Sequence, residues 1–343
     1  MNTAYVTDAR FAGHTLADHP EHAGRLEAVE ERLAVDGLRE RLLPVDAVRA
    51  TEDDLLAVHD PGHLKRLSRV AEIGTPTMFG PDTYVLPDSY AIAVLAAGAV
   101  LRVVDAVVTG QATNGLAAVR PPGHHATRDE AMGFCLLNNV AIAARYAQRQ
   151  YGVQRVLIVD YDVHHGNGTQ DIFYSDPSVY YISTHQSPLY PGTGDIREIG
   201  AGPGERLTLN IPLAPGTGDA GFFDVFDQVV IPAAERFEPE LILVSAGFDA
   251  HWADPLANLR LTLSGYDRLT RSLYALAGRL CEGRIICVLE GGYNLQVLSH
   301  AWANVARALT GDPAAVDPVG PAREISRPVD ALIARLKQLH QLS

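Results

Sequence analysis

The side chains able to do chemistry are grouped along this sequence. Histidines occur as HPEH at 19–22, HH at 124–125 and HH at 164–165. The densest group is DYDVHHGNG at 160–168, in which Asp160, Asp162 and His164 alternate. If extended geometry persists there, all three point to one side, and carboxylates beside an imidazole suit a divalent ion of the zinc or iron type. A DxD pair alone is more often a solvated strand end with a helix cap. The adjoining His165, and glycines at 166 and 168 that permit a tight turn, tip the reading toward metal. A further ligand must arrive from elsewhere, and Asp249, in AGFDAHWADP, is the best candidate.

A hydrolytic metal also needs a base for the proton of its water and an acid for the leaving amine. PPGHHA at 121–126 offers both: Pro121, Pro122 and Gly123 force an irregular loop in which His124 and His125 can line one pocket. Tyr293, on a loop loosened by Gly291 and Gly292, could donate a hydrogen bond to a carbonyl oxygen that the metal also polarises.

Positioning these groups requires a frame. Short apolar runs bounded by Gly, Pro or Asp predict strands at Leu116–Arg120, Arg155–Asp160, Val179–Thr184, Leu207–Ile211, Leu241–Ser245 and Ile285–Leu289. Helical spacing predicts crossovers at Ser89–Val107, Asn138–Gln150, Ala220–Arg236, Ser264–Leu280 and Leu295–Thr310. The alternation predicts an α/β fold, a mainly parallel sheet covered by helices on both faces. Each polar cluster then follows the carboxyl end of a strand, where open α/β sheets bind ligands. A site assembled from residues 124 to 293 cannot be divided between modules, so one domain over 1–343 is expected. Within it, 312–328 forms a Pro/Gly-rich connector and 329–342 a C-terminal helix, docked on its own domain or serving a homo-oligomer contact.

The 343 residues are 47% hydrophobic and 20% charged, which excludes disorder. With Lys+Arg 28 against Asp+Glu 41 the net charge is -13, the wrong sign for gripping nucleic acid and compatible with a cationic small molecule or basic peptide. Cys135, Cys281 and Cys287 form no CxxC pair, so they are expected in the core of a protein of the reducing cytoplasm. The N-terminus lacks a signal-peptide layout and the sequence has no unbroken run of about eighteen apolar residues, so no membrane partner is expected.

The ordered motifs HPEHAGRLEAV, PDTYVLPDSY, RPPGHHA, GFCLLNNVAIAARYA, VDYDVHHGNGTQ, YISTHQSPLYPGTGD, SAGFDAHWADPL and LEGGYN resemble the histone deacetylase superfamily over nearly the whole chain. The resemblance is specifically to its class II-like bacterial amidohydrolases, both histone deacetylase-like and acetylpolyamine-cleaving. The resemblance implies an arginase-like three-layer α/β/α fold with a sheet of about eight strands. It further implies one catalytic zinc, with iron(II) as the alternative, on Asp162, His164 and Asp249. His125 would be general base and acid, His124 its electrostatic partner and Tyr293 the carbonyl-polarising group. Asp160 would orient His124, and Asn167 would stand beside His125. Phe134, after Gly133, and Tyr190 would wall an acyl-lysine tunnel, with Asp82 and Leu256 at its mouth. Structural potassium would sit at the backbones near Asp160, Asp162, His164 and Thr184 with the Ser183 hydroxyl, and again near Phe173, Asp176 and Val179.

The implied reaction is attack of zinc-bound water on an acetamide carbonyl. The implied substrate is an acetylated lysine peptide or a small N-acetylated amine. Leu256 in place of a pocket-mouth glutamate, and the short loop at Gly74–Tyr90, favour acetyl-lysine over acetylpolyamine. An arginase-type two-metal site would need acids where Gly166 and His251 stand. A non-catalytic acetyl-lysine reader should have lost a ligand, a tandem histidine or the tyrosine, and all are present.

Overall fold

The computed structural model describes residues 2–322 and 326–342; positions 323–325 of the expected connector, and both terminal residues, lie outside the described residues. The chain lays down β1 (Thr3–Val6), β2 (Leu43–Pro44), a hairpin of β3 (Thr77–Phe79) and β4 (Thr83–Val85), then β5 (Asn114–Ala117), β6 (Val156–Asp160), β7 (Val179–Gln186), β8 (Thr208–Leu213), β9 (Leu241–Ala246) and β10 (Ile285–Leu289). Eight of these form one sheet in the order β2-β1-β5-β10-β9-β6-β7-β8, and every pair in it is parallel. The apolar runs become strands because they are buried on both faces: each residue of β6, β7, β9 and β10 is buried.

Helices supply the covering layers. The first four are α1 (Gly24–Val35), α2 (Glu52–Leu56), α3 (Pro61–Ile73) and α4 (Ser89–Val108), followed by α5 (Asn139–Tyr151), α6 (Asn167–Phe173), α7 (Asp219–Val225), α8 (Ile231–Phe237), α9 (Leu263–Leu280), α10 (Leu295–Leu309) and α11 (Asp330–His340). One layer places α10 between α1 and α9; in the other, α4 lies beside α5 and on β1 and β5.

Three expectations change. Residues 118–120 do not extend β5: the chain leaves the sheet after Ala117, and Arg120 turns inward to pair with buried Glu21. The helix expected over Ala220–Arg236 contains a π-helical turn at Phe226–Val230 between α7 and α8, which keeps Phe226, Val229 and Val230 buried. Helix α4 is long and apolar enough to cross a membrane although Arg102 and Asp105 interrupt its apolar run, so the lack of an unbroken run does not exclude a candidate span. Of its most apolar window 72% is buried against the protein, which explains its apolar composition as that of a core helix.

Register brings the functional clusters together. Asp160 pairs with Ser245 on one side and Ser183 on the other, Leu289 pairs with Ala246, and Val288 with Ala117. The carboxyl ends of β5, β10, β9 and β6 therefore stand level, and the loops that follow them converge.

Candidate active site

The strand ends at Asp160, yet Asp160 and Asp162 still face one side, with Asp162 Oδ1 3.9 Å from His124 Nε2. Asp160 Oδ1 accepts the Asp162 backbone N–H at 3.1 Å, and Asp162 Oδ1 accepts that of His164 at 2.9 Å. Two successive Asx turns curl the chain. Asp160 faces His124, with Oδ2 3.0 Å from Nδ1, while Asp162, with His164, also faces Asp249.

The ligand atoms of Asp162, His164 and Asp249 lie within 4.8 Å of one another. His164 Nδ1 is 3.1 Å from Asp162 Oδ1 and 3.2 Å from Asp249 Oδ2. Asp249 Oδ1 accepts the Val163 N–H at 2.9 Å and Asp162 Oδ2 that of Gly291 at 2.8 Å, but Asp249 Oδ2 is buried and accepts no hydrogen bond. Two buried carboxylates this close demand a cation. Burial, then the neighbouring Asp162, pushes Asp249 up to about 7; burial alone would lower His164, yet the two carboxylates raise it to about 10. An orphaned carboxylate oxygen beside a carboxylate and an imidazole is a donor set that fits one divalent ion of the zinc or iron(II) type.

The tandem histidines take opposite characters. Burial would lower His124, but Asp160 and Asp162 outweigh it and raise it to about 10. His125 is held well below its ordinary value by burial and by the charges of His124 and His164. His125 Nδ1–H donates to Asn167 Oδ1 at 2.8 Å, and the Asn167 amide donates to Met132 Sδ at 3.3 Å, which fixes the amide orientation. The lone pair of His125 is thereby left on Nε2.

Aromatic rings close the sides. Tyr190 stands edge-on to His125 at 5.3 Å between centroids, and Phe134 stands edge-on to Tyr293 at 5.8 Å. Gly133 takes a left-handed φ of 54°, and a Cβ there would reach within 2.3 Å of the His125 ring. Asp82, at the β3–β4 turn, accepts from Thr83 Oγ1 through Oδ1, and its backbone oxygen lies 3.1 Å from His19 Nε2. His19 also packs edge-on against Phe134 at 4.6 Å, so the first histidine of HPEH belongs to the wall. Leu256 is 36% exposed at the end of the Asp249 loop. Ser183 Oγ engages His185 Nδ1 at 2.9 Å, and the Thr184 hydroxyl donates to the Asp160 backbone oxygen at 3.4 Å. Phe173 ends α6, Val179 begins β7, and the Asp176 carboxylate between them pairs with Arg145 and accepts from Ser178.

Several supporting residues escaped sequence reasoning. The Tyr181 hydroxyl donates to Asp160 Oδ2 at 3.0 Å. Glu290 accepts the backbone N–H groups of Gly123 at 2.7 Å and His124 at 3.2 Å, and the Ser245 hydroxyl at 3.1 Å, tying the tandem-histidine loop to the tyrosine loop. His124, Cys135 and Glu290 also cluster as metal-type side chains, but these donors occupy both Glu290 oxygens. Arg25 lies beneath the site: it donates to the Gly292 carbonyl at 2.8 Å, pairs with Glu21 and sits 5.1 Å from the Tyr293 ring centre. Glu290 was signalled by its place after an apolar run, and Arg25 and Tyr181 by lying inside HPEHAGRLEAV and YISTHQSPLYPGTGD, but none of these placements told the role.

Residues 19–309 match the histone deacetylase domain family. A histone deacetylase-like amidohydrolase of Pseudomonas aeruginosa is 40% identical over 326 residues, covering 94% of this chain and 84% of that protein. The polyamine deacetylase HDAC10 of Mus musculus is 43% identical over 330 residues, which span 91% of this chain and 49% of that one. The crystal structure of the HDA15 HD domain aligns with a TM-score of 0.89 at 39% identity, covering 99% of this chain and 94% of that one.

Proposed function

This chain belongs to the histone deacetylase family, and from that premise we propose that it is a divalent-metal amidohydrolase removing acetyl groups from N-acetylated amines, acetyl-lysine side chains foremost. The observation that carries the reading is the convergence of Asp162, His164 and Asp249 beside a histidine pair of opposite character. Asp162, His164 and Asp249 would hold the ion. When bound, it supplies Lewis acidity, polarising the acyl carbonyl and making a water more acidic.

His125 Nε2 takes a proton from the attacking water and returns it to the amine nitrogen as the C–N bond breaks, leaving acetate and a free amine. His124, a cation fixed by Asp160, offsets negative charge developing on the acyl oxygen without itself transferring a proton. Burial holds the Tyr293 phenol far above its ordinary value, so its hydroxyl stays protonated and donates to that oxygen. Phe134 and Tyr190 flank an alkyl chain, and Asp82 accepts from a donor at the mouth.

Potassium would bind at the backbones of Asp160, Asp162, His164 and Thr184 with Ser183. The in-register pairing of Asp160 with Ser183 supports that site. A second reading, acetylpolyamine cleavage, draws on the polyamine deacetylase relative; apolar Leu256 at the mouth weighs against it.

The test is chelation, reconstitution with zinc or iron(II), and a panel of acetyl-lysine peptide, acetylspermidine and acetylputrescine. Amine release should return with metal and be fastest on the peptide. A kcat/KM more than about tenfold higher on a polyamine reverses the substrate order, and full activity after complete metal removal overturns the mechanism.

A further inference from the structure

Asp254 touches neither the ligand set nor the tandem histidines, yet it is 6% exposed, in the ADP turn at 253–255. Its Oδ2 accepts the backbone N–H groups of Tyr293 at 2.7 Å and Asn294 at 3.1 Å, and its Oδ1 accepts that of Leu256 at 3.0 Å. One buried carboxylate thus gathers three backbone donors, each a charge-assisted bond stronger than its neutral counterpart. The same two loops are joined again by Asn294: its amide donates to the Ala253 carbonyl at 2.9 Å, while its Oδ1 caps α10 through the Val297 N–H. Because Asn294 is the cap of α10, the N–H groups at 293 and 294 lie outside the helix's own hydrogen bonding and need an outside acceptor.

We propose that Asp254 is a positioning residue: it fixes the backbone of Tyr293, and so the reach of its hydroxyl into the pocket, and locks that tyrosine to the rim at Leu256. The inference rests on the proposed role of Tyr293. A purely structural role for Asp254 would cost stability alike whatever ring stood at 293. A positioning role is expressed only through the phenol hydroxyl.

The discriminating experiment is a double-mutant cycle between Asp254→Asn and Tyr293→Phe on the metal-loaded enzyme, with acetyl-lysine peptide as substrate. An asparagine presents one acceptor where the carboxylate presents two, so whichever way it turns, the Leu256 donor or the 293–294 pair loses its partner. In the native background kcat should fall roughly tenfold or more; in the Tyr293→Phe background it should fall less than about twofold, with metal content unchanged. Amide hydrogen exchange at 293–294 should quicken in the single variant. An equal loss in both backgrounds, or no loss in the native one, overturns the proposal. If Asp254→Asn does not fold, Asp254→Glu keeps charge and both oxygens but overreaches by one methylene, and its smaller loss should likewise vanish in the Tyr293→Phe background. Full kcat in Tyr293→Phe alone removes the tyrosine's role, and this inference with it.

Discussion

Two glycines decide how closely the carboxylates of the site can stand. A Cβ on Gly247 would lie 2.0 Å from Asp162 Oδ2, and one on Gly291 would lie 2.2 Å from Asp249 Oδ2. Neither glycine has a left-handed φ, so what the site requires of them is space. Gly247→Ala should push Asp162 aside and weaken metal binding by about 10- to 100-fold. Chelator competition followed by metal analysis reads this, and native-like retention would show that Asp162 is not a ligand. Tyr293→Phe should instead keep its metal and lose about 10²-fold in kcat, the scale of removing one donor to a developing oxyanion. Asp162, His164, Asp249 and the tandem histidines were legible in the sequence because each follows an apolar run that ends abruptly. Tyr181 was not, since a tyrosine inside β7 is indistinguishable in sequence from a core residue. The turn after Asp160 was not legible because the side-chain-to-backbone bonds two residues apart that end the strand are absent from any periodicity.

Elements were legible in proportion to their length and burial. The runs that became β6, β7, β9 and β10 are continuous and apolar, whereas β1 has four residues, β2 two, and the β3–β4 hairpin lies in a mixed segment. These short pieces take their order from neighbours already in place, as β1 does by pairing with β5. The C-terminal helix shows the same dependence. Helix α11 buries Ile333, Leu336 and His340 against the π turn and the edge strand β8, and Arg236 donates to the carbonyl of His340 at 2.6 Å. Leu336 is fully enclosed. Leu336→Ala should therefore cost about 2–5 kcal/mol of unfolding free energy, the range for a buried leucine. Urea unfolding measures it, and kcat per folded molecule should hold, because α11 contributes nothing to the pocket. A loss below about 0.5 kcal/mol, the scale of surface changes, would mean that the helix is not docked in solution.

At the scale of the whole molecule, the histidines outside the candidate site set the response to acid. His14, His185, His251 and His340 are lowered to about 4 and His59 to about 3, in each case by burial first. Each is neutral in the folded protein but takes up a proton near 6.5 once unfolded. The unfolded chain then binds more protons than the folded one, so stability is complete above 6.5 and is lost as pH falls toward 4. Every such histidine contributes a slope of at most about 1.4 kcal/mol per pH unit. Glu290 works in the other direction: burial, relieved in part by His124, raises it to about 7, so it takes up one proton in the folded state over the same window. Asp249, pushed up to about 7 by burial and by Asp162, does the same, and five sites against two leave a net loss. Glu21, lowered to about 2 because Arg120 and Arg25 outweigh its burial, keeps its ion pairs throughout this range and does not soften the decline. The melting temperature should therefore fall steeply between pH 6.5 and 4.5, before ordinary carboxylates titrate, as scanning calorimetry from pH 8 downward would record. A melting temperature that holds or rises over that interval would mean that these histidines are already protonated in the folded protein, and their burial would then need buried anions beside them.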